Sequence, residues 1–151
     1  TTLHTLNVVE TVSRIVSFFP PYQHHQIRLV LDCALKSIVC QRLLPKVGGG
    51  RVATFEILCT NLRVKDAILH GEAEGKTYHD IMEAGEPFGM TTFDDHIVGL
   101  YEQGLITQET AMAYASHKGV AGRGIDKVKS ARGESTTDID NLEIDRHYDK
   151  A

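Results

Sequence analysis

The chain has 151 residues, 42% of them hydrophobic and 24% charged, with a formal net charge of −4. That is the balance of a globular protein with room for one ordinary domain, or one domain and a tail. The charge argues against general binding to nucleic acid or to an anionic membrane, no apolar run approaches a membrane span, and no signal-peptide pattern opens the chain.

The chain opens at Thr1-Thr2-Leu3-His4-Thr5 without an initiator Met, which reads as a start in the middle of a longer protein. The β-branched content of those five residues predicts the end of a strand. Asn7 then offers an N-cap, and Glu10 three residues on completes a capping-box-like pair. Val8, Val9, Val12, Ile15, Val16 and Phe19 fall on one helical face, and Pro20-Pro21 ends it. A second helix follows, with Ile27, Val30, Leu31, Ala34, Leu35 and Ile38 at helical spacing. By pattern it is the clearest helix in the chain.

Two hydrophobic runs come next, Ser37 to Leu44 and Arg51 to Cys59, separated by Pro45-Lys46-Val47-Gly48-Gly49-Gly50. In the second run Ala53, Phe55, Ile57 and Cys59 share one face, and Thr54 and Glu56 the other. Pro45 cannot donate to a ladder and the glycines let the chain reverse, so the stretch predicts a β-hairpin. A lone hairpin is marginal in water; it must add to a sheet or pack under helices.

Short helices are predicted after it, each with its own start signal. Asn61 caps one with Leu62, Val64, Ile68 and Leu69. Thr77 with Asp80 caps another, ended by Gly85 and Pro87. Thr92 with Asp95 opens a third that Gly104 closes, and Thr107 starts a fourth. From Lys118 the periodicity stops, and 118–151 reads as a mobile tail. The organisation expected is therefore 1–60, 61–117 and that tail.

Few residues invite chemistry. His4 follows a presumed strand, and at a strand's carboxyl end a histidine meets either a phosphate or ordinary packing. His24-His25 point apart on a helix and cannot share a metal, so no metal site is expected. Gly48-Gly49-Gly50 lacks the Lys-Ser/Thr of a phosphate loop. Three cysteines (Cys33, Cys40, Cys59), odd in number and without a C-x-x-C, suit a reducing cytosol.

Thr2-Leu3-His4-Thr5, followed by a capped helix ending in Phe18-Phe19-Pro20, closely resembles the histidine box of the secretion ATPases. The likeness runs on through Gln41-Arg42-Leu43-Leu44-Pro45, Gly50-Arg51-Val52-Ala53 and Glu56-Ile57-Leu58. It resumes at Glu74-Gly75-Lys76-Thr77, Gly89-Met90-Thr91-Thr92-Phe93-Asp94 and Gly104-Leu105-Ile106-Thr107, covering roughly residues 1–116. The chain thus resembles the C-terminal part of the PilT-like ATPases that retract type IV pili.

The resemblance implies an α/β fold, the end of a RecA-like ATPase core whose β-hairpin adds to a sheet, followed by a small helical subdomain. It implies a parent that is a homo-hexameric motor using ATP and Mg²⁺ at the cytoplasmic face of the inner membrane, against a pilus platform protein. The family's phosphate loop and Walker B carboxylate have no counterpart here, so no cofactor is expected on this chain alone. By the same resemblance His4 is the second histidine of the box, near the nucleotide phosphates, and Arg63-Val64-Lys65 stands where the family has a retraction motif. The alternative is a non-catalytic interaction module that docks on a pilus or secretion motor.

Overall fold

The computed structural model describes residues 1–135. Helix α1 (Val8–Ser17) begins as its sequence demands: the Asn7 side chain accepts the Glu10 amide at 2.8 Å. Glu10 in turn accepts the Leu6 amide at 2.8 Å, one residue before the cap rather than at it. Val8, Val12 and Val16 point into the core. A single 3-10 turn (Pro21–Gln23) leads into α2 (His24–Ala34).

The hairpin forms as expected, with β1 (Ser37–Pro45) antiparallel to β2 (Arg51–Cys59) and Ser37 opposite Cys59 through Pro45 opposite Arg51. Gly48, Gly49 and Gly50 all take positive φ, which side chains disfavour, so the turn needs glycine. Among the described residues the sheet has two strands, and helices cover it: α1 and α6 lie against β1, and α5 against β2. At one point a third segment pairs, where Ile57 and Thr91 exchange both backbone hydrogen bonds at 2.9 and 3.1 Å.

The later helices begin at the expected caps. Asn61 starts α3 (Leu62–His70), Thr77 with Asp80 makes a complete capping box for α4 (Tyr78–Glu83), Thr92 starts α5 (Phe93–Glu102), and Thr107 starts α6 (Gln108–Tyr114). Phe93, Leu44, Leu58, Ile68, Ile97 and Ile106 are fully buried between these helices and the hairpin. Among the described residues no helix is long and apolar enough to cross a membrane.

Three expectations are corrected. Residues 1–5 form no strand, having no ladder partner among the described residues; side chains from α1 hold them instead. The second helix stops at Ala34, so Ile38 belongs to β1, and α2 contains no buried residue despite its clean apolar pattern. The third correction is the largest. Residues 118–131 are not tail: Lys118–Ala131 is a 14-residue helix, α7, that buries Ala121, Ile125 and Val128. Those three stand at i, i+4 and i+7, but Gly119 just before them and Gly122 and Gly124 between them made the stretch read as a loop. The tail expected beyond residue 135 lies outside the described residues.

One glycine of α7 has a packing reason. A Cβ on Gly124 would stand 2.6 Å from Val98 Cγ2 and 3.1 Å from Val98 Cγ1 on α5. Val98 is β-branched and stiff on a helix, so it cannot easily swing aside. Gly124→Ala should therefore destabilise the protein by about 1–2 kcal/mol in denaturant unfolding, overpacking outweighing the gain in helix propensity. Adding Val98→Ala should recover part of the loss relative to Val98→Ala alone, and a stabilised single variant would refute the close-packing account.

Candidate functional site

His4 is exposed, at the mouth of a cleft of about 660 Å³ that the N-terminal segment forms with Leu35 and residues 37–41 of β1. The segment is positioned by side chains of α1. The Arg14 guanidinium donates to the His4 carbonyl at 2.9 Å, and the Thr5 and Thr11 hydroxyls are hydrogen-bonded at 2.7 Å. The backbone at His4 is thus fixed while its imidazole is presented to solvent.

The Arg63-Val64-Lys65 stretch lies elsewhere, at the start of α3, and its side chains diverge. Val64 is fully buried in the core. Lys65 pairs with Asp32 of α2 at 3.7 Å. Arg63 alone is exposed, on a second cleft of about 580 Å³ that it lines with His70, Lys76 and Asp80. The two clefts share no lining residue, so the structure does not bring His4 and Arg63 together.

What it does bring together was not foreseen. The buried face of β2 carries Thr54, Glu56 and Leu58, while Ala53, Phe55, Ile57 and Cys59 are only half-buried. Across the ladder Thr54 faces Arg42 and Glu56 faces Cys40. A polar band therefore crosses the middle of the covered face, with Ile38 and Leu58 at one end and Leu44 and Val52 at the other.

Each member of the band has a partner. The Glu56 carboxylate accepts the Val8 amide at 2.7 Å, completing the first turn of α1 from a strand 48 residues away. The Arg42 guanidinium stacks 3.8 Å from the centre of the Phe93 ring and donates to the Leu6 carbonyl at 3.2 Å and to Ser116 Oγ at 3.1 Å. Thr54 Oγ1 and His96 Nδ1 are hydrogen-bonded at 3.1 Å, and burial pushes the His96 imidazole below its ordinary pKa. Asp94, 1% exposed, accepts the Ser116 and His117 amides at 2.7 and 3.0 Å and so holds the entry to α7.

Asp94 also gathers two imidazoles, with His117 Nδ1 at 2.9 Å and His79 Nε2 at 4.0 Å. His79, Asp94 and His117 form one of two groups among the described residues that could hold a metal ion, the other being the more exposed His79, Asp80 and Glu83, and sequence reasoning missed both. His79, Asp94 and His117 stand 15 and 23 positions apart on three elements, so no local spacing could have signalled them.

No protein-family profile matches the chain. Individual proteins do. It is 39% identical over 115 residues to the type IV pilus ATPase PilU of Pseudomonas aeruginosa, covering 76% of this chain and 30% of that protein. It is 34% identical over 110 residues to the type IV pilus retraction ATPase PilT of the same organism, covering 73% and 31%. Among solved structures, a pilus retraction motor PilT with bound ADP matches 80% of this chain and 33% of its own, at 38% identity and a TM-score of 0.63. The chain thus spans about a third of the length of the relatives it matches.

The buried carboxylate of the polar band is open to test. Burial pushes the Glu56 carboxyl above its ordinary value, against the opposing pull of the Val8 amide and Arg42. A carboxyl raised on folding stabilises the protein while protonated, and that contribution is lost as pH rises from the unfolded value through the folded one. Glu56→Gln keeps an oxygen to accept the Val8 amide and removes the charge. The stability gap between Gln variant and parent should therefore widen in the variant's favour between about pH 4 and pH 7. Chemical denaturation at several pH values measures it, and a gap moving the other way would show that the Glu56 charge is net stabilising.

Proposed function

We propose that this chain, which matches the C-terminal part of the PilT-like pilus ATPases, is the C-terminal portion of an ATP-driven motor that retracts type IV pili. The observation that carries this reading is a match in both sequence and fold over about three quarters of the chain, 39% identity over 115 residues to PilU and a TM-score of 0.63 to a PilT structure. In this reading the parent works as a homo-hexamer at the cytoplasmic face of the inner membrane, against a pilus platform protein.

In this reading the chain supplies no nucleotide cradle of its own. The only consecutive glycines that could approach a phosphate, Gly48 to Gly50, sit at the tip of a hairpin with a strand behind them. MgATP would be held by other parts of the parent, and this chain would contribute the exposed His4 imidazole. Arg63, rather than Lys65 with its Asp32 partner, would be the residue of the retraction stretch available to a neighbouring subunit or platform protein.

Two measurements test this. The isolated 151-residue chain should neither bind nor hydrolyse MgATP, because the amides and Mg²⁺ ligands that stabilise phosphoryl transfer are not among its residues; micromolar binding by calorimetry would contradict it. Grafted onto the nucleotide-binding part of a PilT-like ATPase in place of that protein's own C-terminal part, the chain should support hydrolysis. His4→Ala in the graft should lower turnover by roughly 30- to 1,000-fold, the effect of removing one positioned contact of ~2–4 kcal/mol, with an unchanged melting temperature. A graft that assembles without hydrolysing ATP would favour the docking-module reading. A destabilised His4→Ala variant with normal turnover per folded molecule would make His4 a packing residue.

A further inference from the structure

His79 of α4, Asp94 of α5 and His117 at the entry to α7 each offer a donor atom, and the three atoms lie within 4.8 Å of one another. The two imidazole rings meet edge-on with centroids 4.4 Å apart. Asp94 has an evident structural duty in holding the Ser116 and His117 amides. That duty does not account for His79. Its Nε2 is sealed from solvent, has no hydrogen-bond partner, and stands 4.0 Å from Asp94 Oδ2, beyond hydrogen-bond reach. A buried nitrogen left unsatisfied is destabilising unless something else meets it.

We propose that His79, Asp94 and His117 bind a divalent transition-metal ion, zinc by preference, which ties α4, α5 and the start of α7 together. Two imidazoles and one carboxylate suit zinc and its neighbours rather than magnesium, which takes oxygen ligands. In a tetrahedral zinc site with bonds of about 2.1 Å, neighbouring donors stand about 3.4 Å apart. The separations of 2.9 Å (His117 to Asp94) and 4.0 Å (His79 to Asp94) straddle that value. The ion replaces the hydrogen bond between His117 Nδ1 and Asp94, and the displaced Nδ1 proton is released to solvent or carried on Nε2. The carboxylate is already held in place, because the backbone amides of Ser116 and His117 donate to it. With the His117 side chain 56% exposed, the fourth position opens to water.

The test uses the full 151-residue chain with Cys33→Ser, which removes the exposed thiol as a competing ligand. Zinc is titrated by calorimetry and against a chromogenic chelator, with magnesium in excess. The expected result is one zinc per chain, a melting temperature that rises with zinc, and a tetrahedral cobalt(II) absorption spectrum on substitution. His79→Gln and His117→Gln should each weaken zinc binding at least tenfold and abolish the thermal shift, while His24→Gln with His25→Gln should leave both unchanged. In the parent, zinc should move the imidazole nitrogen resonances of His79 and His117, a readout that needs no variant to fold. Absence of saturable zinc binding, or binding that survives loss of both His79 and His117, or resonances that move only at other histidines, would overturn the proposal.

Discussion

The Arg42 guanidinium is the point on which the arrangement turns. It leaves the middle of β1 on the covered face of the hairpin, sits over the Phe93 ring, and spends its donors on the Leu6 carbonyl and Ser116 Oγ. Those contacts belong to three separate stretches: the segment before α1, the start of α5 and the entry to α7. A half-buried cation is costly unless its donors are met, and the planar fork of arginine meets several in one plane while its face stays free to stack. Lysine at the same position could offer neither the fork nor the stacked plane.

Around that cation the carboxylates are distributed by the same logic. Glu56 and Asp94 are both buried, and each accepts backbone amides at the beginning of a helix, α1 for Glu56 and α7 for Asp94. Helix starts leave unsatisfied N–H groups and carry the positive end of the dipole, so a buried carboxylate there is stabilised from two sources. The consequence reaches the candidate site. Leu6 is held by Arg42, Val8 by Glu56, and the His4 carbonyl by Arg14, so the N-terminal segment inherits its place from the band beneath the hairpin.

This also explains what could be read from the residues in order. Caps are local: Asn7, Asn61, Thr77, Thr92 and Thr107 each act within three positions, and each marks its helix in the structure. The hairpin was legible for the same reason, from Pro45 and the glycines. Two things were hidden. Helix α7 carries three glycines that mask its apolar period, and only Gly124 among them is required by packing, since α5 comes so close that this position admits no side chain. The burial of Thr54 and Glu56, against what their polarity suggests, depends on partners that are distant in sequence, Arg42, Val8 and His96. The same distance concealed His79, Asp94 and His117, whereas His4 was singled out by its place in the sequence and given a role by a family likeness, and Arg63 was found through that likeness alone.

A two-stranded sheet with helices on one face leaves its other face to be accounted for. Val39 and Leu43 point outward from β1 at 59% and 46% exposure, and Leu29 and Val30 of α2 are similarly bare. Isolated hairpins are marginal in water, and scattered apolar residues on a surface are ordinary, but here no described residue covers either a strand face or a helix face. Val39 lines the same cleft as His4. The exposed imidazole therefore stands in the same cleft as an exposed apolar residue of the strand. In the proposed motor, that is the geometry a C-terminal portion needs if its one contribution to the nucleotide is to arrive from the edge of an interface.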